Sequence, residues 1–263
     1  YEINYRDWSS DVCSSDLQFH TFYTANRRGG SSMPLHKVEK ILSYAESEES
    51  FFERIKRYHS PYSEEYTMIA RAYNNAMNAF SEIYRDRGEP YYTHVRAVAI
   101  LMIDYLYVYE RVGLRAAPHE IITAALLHDN PEDRPDIWPL ERVERDYNCT
   151  VALMVDYVSK RPRAFFGGDE RKQLDFFHCR LKFLHPYWTE VMMIKLADRL
   201  HNQMTLWTCD FDKIKRKMRE TNDIYLPLAR KSGILIHELE ETTVNFEERL
   251  AKHKEVLDAN KNK

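Results

Sequence analysis

The sequence predicts an all-α fold with little or no β structure, on three observations. Turn-forming residues are scarce, with 7 glycines and 10 prolines in 263 residues, against roughly 12% in an average chain. Apolar residues recur at helical spacing over long stretches, beginning with Leu35, Val38, Ile41 and Leu42. Prolines such as Pro118 and Pro131 fall where they open a helix rather than break one.

Taken in order, the first segment stands apart. Residues 6–17 (RDWSSDVCSSDL) read as the in-frame translation of a sequencing-library adaptor. Residues 1–32 are therefore set aside as a non-native or disordered segment, with Met33 as the expected start and no functional meaning for Trp8 or Cys13. Helices are expected over 34–45 and 47–58, ended by His59-Ser60-Pro61, and over 66–84, where Ala70, Ala72, Ala76 and Ala79 allow close packing. The loop RDRGEP (85–90) precedes a helix over 93–111. Helices follow over 118–127, briefly from Asn130-Pro131, then over 140–147 and 151–158. The segment RPRAFFGGD (161–169) is the most loop-like internal stretch. Helices resume over 170–184, 189–206, 212–229 and 237–257. The expected organisation is a helical flank over 33–62, one central domain over 63–233, and a charged helix and tail over 234–263.

Composition narrows the function classes. The chain carries 38 basic and 41 acidic residues, a net charge of -3, which disfavours a nucleic-acid binder. Cys13, Cys149, Cys179 and Cys209 form no CxxC pair, so a reducing cytoplasm is expected rather than a disulfide framework. The longest apolar stretch, 97–109, contains Asp104 and is too short to span a bilayer.

Three local signals carry chemistry. The apolar run 121–127 ends in His128-Asp129-Asn130-Pro131-Glu132-Asp133. Carboxylates at a helix C-terminus oppose the macrodipole and repel one another, and a bound divalent cation would remove both penalties. Local capping by Asn130 and first-turn placement of Glu132 and Asp133 account for part of this, but not for a His-Asp pair behind a core-facing run. In the second signal, Asp198, Asn202 and Thr205 share one face of a mostly apolar helix. A buried Asp198 needs a partner, which Lys195 or Arg199 could also supply. The third is His94, at the start of an apolar helix, a position where a lone histidine is more often structural. Together His94, His128, Asp129 and Asp198 suit a hydrolytic divalent metal, with Mn²⁺ the expected ion.

The motifs GEPYYTH (88–94), LLHDNPED (126–133), VSK (158–160), IKLADRLHN (194–202) and RETNDIYLPLA (219–229) resemble, in order and spacing, the RelA/SpoT-type HD hydrolase domain. The resemblance covers about 63–233 and implies an HD-domain helical bundle that removes the 3′-diphosphate from the guanosine alarmones ppGpp and pppGpp. It implies His94, His128, Asp129 and Asp198 as ligands of one Mn²⁺ and Glu132 and Asp133 as the catalytic pair. It further implies Arg85 against the guanine base, Asn202 and Thr205 toward the ribose, and Lys160 near the phosphates. Val95 stands where the family usually has proline, and Asp86 replaces a commonly basic residue beside Arg85. The chain stops at Lys263, so the alarmone-synthesising activity is not expected. The alternatives are an HD phosphohydrolase acting on another nucleotide such as NADPH, which Asp86 keeps open, and a catalytically silent alarmone-binding module. The expected partner is the nucleotide, without nucleic acid or membrane. Among other residues, His119 is read as a first-turn residue, and His178, His185 and His201 as surface or packing residues. Tyr105, Tyr107 and Tyr109 are expected to pack. Residues 213–219 (KIKRKMR) form a solvated face or add positive potential, and Arg161 and Arg163 contact phosphate or lie in an exposed loop.

Overall fold

The computed structural model describes residues 47–85, 88–108, 113–244 and 246–261. Segment 1–32, the helix expected over 34–45, Asp86 and Tyr109 lie outside the described residues. Among the described residues there is no strand, only a single antiparallel bridge between Tyr84 and Pro90.

Serine caps set the first starts. Helix α1 spans Glu48–Lys56, and the Ser47 hydroxyl accepts from the Ser50 amide. Helix α2 spans Glu64–Ala79, and Ser63 caps it through the Tyr66 amide at 3.1 Å. The cap starts α2 two residues ahead of the expected position, because the serine oxygen satisfies an otherwise orphaned first-turn donor. The helix also ends five residues early. Phe80 turns into the core, and the chain closes a loop in which Arg85 N donates to Glu89 O and Tyr91 N to Ile83 O. Gly88 supplies the left-handed turn of that loop at φ +81°.

Helix α3 spans Tyr92–Ile103 and widens into a π turn over Asp104–Val108. Helix α4, Pro118–Leu127, begins on its proline, and Glu120 reaches back to the Ala117 amide at 2.8 Å. The short α5, Asn130–Asp133, follows at once, then α6, Leu140–Asp146, and α7, Cys149–Val158, capped by Asn148. The loop after α7 contains a 3₁₀ turn, Arg163–Phe166, before α8, Glu170–Lys182, and α9, Trp188–Met204.

The stretch expected as one helix over 212–229 is α10, Phe211–Glu220, a π turn Thr221–Tyr225, and α11, Leu226–Ser232. Pro227 explains the widening: it cannot donate to the carbonyl one turn back and would clash with it in a regular helix. The stretch expected over 237–257 is likewise divided, into α12, Ile236–Thr243, and α13, Phe246–Lys261.

Helices α3, α4 and α9 form the centre. α4 packs on α2, α3 and α7, while α9 packs on α3 and α7. Their side chains are buried nearly all round, including Ile100, Leu101, Ile121, Leu126, Ile194 and Leu196. Each such fully buried side chain stabilises the fold by about 1.5–3 kcal/mol. One carboxylate, Glu190, is buried and held by backbone amides. It accepts the Arg115 and Ala116 amides at 2.6 and 3.1 Å, tying α9 to the approach of α4. No helix among the described residues is long and apolar enough to cross a membrane.

Candidate active site

The polar exceptions inside this core meet at one place. His94 lies in the first turn of α3, His128 at the C-terminus of α4, Asp129 between α4 and α5, and Asp198 in the middle of α9. All four are buried. His128 Nε2 lies 3.0 Å from Asp129 Oδ2 and 3.8 Å from Asp198 Oδ1. His94 Nε2 lies 3.2 Å from Asp198 Oδ1 and 3.6 Å from Asp129 Oδ2. Residues 94, 128 and 198 are far apart in sequence, and the packing of α3, α4 and α9 brings them together.

These residues fit a divalent cation. His128 Nδ1 donates to the Ala125 carbonyl at 2.7 Å, which turns Nε2 toward the carboxylates. That nitrogen is buried, and its close neighbours are the two carboxylates rather than any neutral acceptor. Donors bound about 2.1 Å from one ion stand roughly 3–3.5 Å apart; His94, His128 and Asp129 offer atoms that all lie within 4.8 Å of one another, and Asp198 Oδ1 adjoins this group at 3.2 and 3.8 Å from the two histidines. Of the local alternative, the first-turn placement of Glu132 and Asp133 behind Pro131 is observed, but the cap is not: no side chain caps α5, and both polar atoms of the buried Asn130 side chain lack a partner.

The neighbours hold both carboxylates ionised. Lys195 Nζ binds Asp198 Oδ2 at 2.8 Å, and Asn202 Nδ2 donates to Asp198 Oδ1 at 2.5 Å. The Tyr91 hydroxyl donates to Asp129 Oδ2 at 2.8 Å. Burial opposes the charge on Asp198, but Lys195 and the two histidines outweigh it and hold the carboxyl well below its ordinary range. Asp129 is likewise held low against burial by His128 and His94. Burial would lower His128, yet Asp129 and Asp198 push it up to about 10. Burial, then Asp129, raises Tyr91 well above the usual tyrosine value.

Glu132 and Asp133 project from α5 beside this cluster. Lys160 grips Glu132 twice, with Nζ on Oε1 at 2.6 Å and its backbone amide on Oε2 at 2.9 Å. Lys160 therefore sits on the catalytic candidate, at the end of α7. Burial, then the charges of Asp129 and Glu132, push Asp133 up to about 6.

On the other side, Arg85 Nη2 donates to Asn202 Oδ1 and Thr205 Oγ1, both at 2.9 Å. Its Nη1 lies 3.3 Å from His201 Nδ1, which is itself 2.8 Å from His94 Nδ1. A cavity of about 220 Å³ opens here, lined in part by Arg85, Arg199, Asn202, Thr205, Lys213 and Lys217.

Every site residue expected from the sequence thus lies in or beside one cluster. Three more belong to it: Tyr91, Lys195 and His201. His201, read as a surface or packing residue, packs directly on His94. Burial first, then His94 and Arg85, hold it well below the usual histidine value. Its place one helical turn beyond Ala197 and Asp198 was the available signal. Residues 213–219 are not simply a solvated face, because Ile214 and Met218 are buried and two lysines line the cavity. Arg161 pairs with Asp156 at 2.9 Å and Arg163 with Glu170 at 3.2 Å. His178 pairs with Glu220, and His185 stacks on Tyr157. Tyr105 accepts from Leu235 N, and Tyr107 meets His59 and stacks on Tyr58.

Comparison with known proteins gives consistent results. A family model described as HD domain matches residues 72–235. The guanosine-3′,5′-bis(diphosphate) 3′-pyrophosphohydrolase of Haemophilus influenzae is 37% identical over 159 residues, covering 60% of this chain and 22% of the relative. The bifunctional (p)ppGpp synthase/hydrolase SpoT of Escherichia coli is 36% identical over 166 residues, covering 63% of this chain and 22% of the relative. The chain thus spans about a fifth of the length of these relatives. A solved structure described as a metazoan ortholog of SpoT that hydrolyzes ppGpp aligns with a TM-score of 0.54 at 20% identity. The alignment covers 69% of this chain and 95% of that one, and bears on the fold.

Proposed function

Because this chain belongs to the HD domain family, we propose that it hydrolyses the 3′-diphosphate of guanosine alarmones in the cytoplasm, converting ppGpp or pppGpp to GDP or GTP plus pyrophosphate. The observation that carries the reading is the meeting of His94, His128, Asp129 and Asp198 between the Glu132–Asp133 pair and the Arg85–Asn202–Thr205 group. The kinship with proteins named for this reaction supports the choice of substrate.

His94, His128, Asp129 and Asp198 would hold the metal, and Mn²⁺ is the ion proposed. Bound there, a divalent ion supplies polarisation of a phosphoryl oxygen and lowers the pKa of a coordinated water. Asp133, whose carboxyl is pushed up by burial and by the charges of Asp129 and Glu132, accepts the proton of the attacking water at its carboxylate. Glu132, locked by Lys160, orients that water. The water oxygen bonds to the phosphorus carrying the 3′ oxygen, the bond to that 3′ oxygen breaks, and the 3′ oxygen takes up a proton. Arg85 lays its guanidinium plane on the guanine, while Asn202 and Thr205 hold both Arg85 and the sugar side. Lys160 lies close enough to Glu132 to add a cation beside the phosphates. The residues forming this hydrolase domain are those of about 63–233.

The test uses the full chain, stripped of metal and reloaded with Mn²⁺, incubated with ppGpp and analysed by ion-exchange chromatography. GDP plus pyrophosphate, lost with chelator and in Asp129→Ala, is the expected outcome. No turnover of ppGpp with Mn²⁺ bound, or unchanged turnover in Asp129→Ala, refutes the reading.

A further inference from the structure

The two histidines at the centre are oriented by different means. His128 is fixed by a backbone carbonyl, since its Nδ1 meets Ala125 O. His94 Nδ1 instead meets a side chain, His201 Nδ1, at 2.8 Å. Two lone pairs cannot face each other at that distance, so one of the two nitrogens carries the proton. Arg85 decides which. Its guanidinium has donors only and stays charged, and its Nη1 lies 3.3 Å from the same His201 nitrogen. His201 Nδ1 is therefore the acceptor for both neighbours, and the proton resides on His94 Nδ1. When a cation takes the place of any proton on Nε2, the proton kept on Nδ1 leaves the lone pair on Nε2, the atom that faces Asp198 Oδ1 at 3.2 Å and Asp129 Oδ2 at 3.6 Å. Arg85 is itself held in place by Asn202 and Thr205.

We propose that His201 is a positioning residue for the metal: by accepting the His94 Nδ1 proton it fixes the tautomer and ring orientation that present His94 Nε2 to the ion, with Arg85 holding His201 in that role. The inference rests on the reading of His94 as a metal ligand. It predicts that His201 governs metal affinity without touching the metal, as partners of ligating histidines do.

The test measures Mn²⁺ affinity of the metal-free full chain by titration calorimetry, without nucleotide. His201→Phe keeps a ring and removes the acceptor, and His201→Gln keeps an acceptor oxygen. His201→Phe is expected to bind Mn²⁺ about 10–100-fold more weakly, and His201→Gln to recover most of that loss. The thermal midpoints of the two metal-free variants should be alike, which separates positioning from general packing. Wild-type affinity in His201→Phe, or the same loss in both variants, overturns the proposal. A second measurement needs no variant: ring ¹⁵N shifts of the wild-type protein loaded with diamagnetic Zn²⁺ should show His201 protonated at Nε2. Protonation at Nδ1 overturns the proposal. Absence of metal binding by the wild-type chain would instead bring down the ligand reading itself, and this inference with it.

Discussion

Metal binding should expel a proton from His128. In the metal-free protein, Asp129 Oδ2 at 3.0 Å and Asp198 Oδ1 at 3.8 Å raise this buried imidazole to about 10, despite burial. Its Nδ1 already donates to Ala125 O, so the proton that must leave is the one on Nε2. Below pH 10 each ion bound therefore releases about one proton from this residue, and apparent affinity rises about tenfold per pH unit. From pH 7 to pH 9 the gain is about 100-fold, or about 3 kcal/mol. An unperturbed histidine would level off near pH 6.5. Titration calorimetry in two buffers of different ionisation enthalpy counts the protons directly. Release of less than about half a proton at pH 8, with affinity flat between pH 7 and pH 9, would refute the electrostatic reasoning. The same shift acts on stability. A group whose folded-state pKa is raised contributes stability that is complete below its unfolded value and is lost as pH rises through the folded one. The metal-free protein should therefore weaken between about pH 6.5 and pH 10, and saturating metal, taking the proton's place, should flatten that dependence.

Asp133, raised to about 6 in the metal-free protein, must be ionised to accept a proton, and a cation beside Asp129 offsets one of the charges that raise it, so kcat should climb at or below pH 6 and level above it. Asp133→Asn should remove that limb and lower kcat by about 10²–10⁴, and an unchanged acid limb in stopped-assay pH profiles counts against its role. Lys160→Met should raise KM for ppGpp by about 10–100-fold, from the loss of one charged hydrogen bond to the substrate, while Mn²⁺ affinity holds. An unaltered KM would confine Lys160 to its grip on Glu132. Asn148 caps α7 through Val151 N at 2.9 Å and donates to Glu120 at 2.8 Å. Asn148→Ala should cost about 1 kcal/mol and lower the midpoint in differential scanning calorimetry by about 2–4 °C. No shift would show that neither contact persists in solution.

Local chemistry was legible in the sequence wherever neighbours in the chain are neighbours in space. Helix α4 matches the expected 118–127 because Pro118 opens it and an unbroken apolar run carries it to His128. The His-Asp pair and the Glu132–Asp133 turn stand out because charge directly behind a core-facing run needs a reason. The end of α2 was not legible: Phe80 and Ile83 continue a helical pattern, and only the place of Phe80 in the core and the loop that Tyr91 closes onto Ile83 end the helix. The π turn before Pro227 shows the same limit, since a proline signals disruption without saying whether the helix stops or widens.

The sequence by itself determined that the fold is helical, that α4 and α9 are buried, and which residue types attend a hydrolytic metal. Only tertiary structure decided that His94, His128, Asp129 and Asp198 face one another, since three helices distant in the chain must pack before their polar exceptions share a centre. It also decided the partners. Lys195 rather than Arg199 balances Asp198, because Arg199 is turned toward Glu220, Thr221 and the Lys217 carbonyl. His201 joins the site for the same reason. Its ring partners lie far off in the chain: Arg85 and His94, 116 and 107 residues away, both meet its Nδ1.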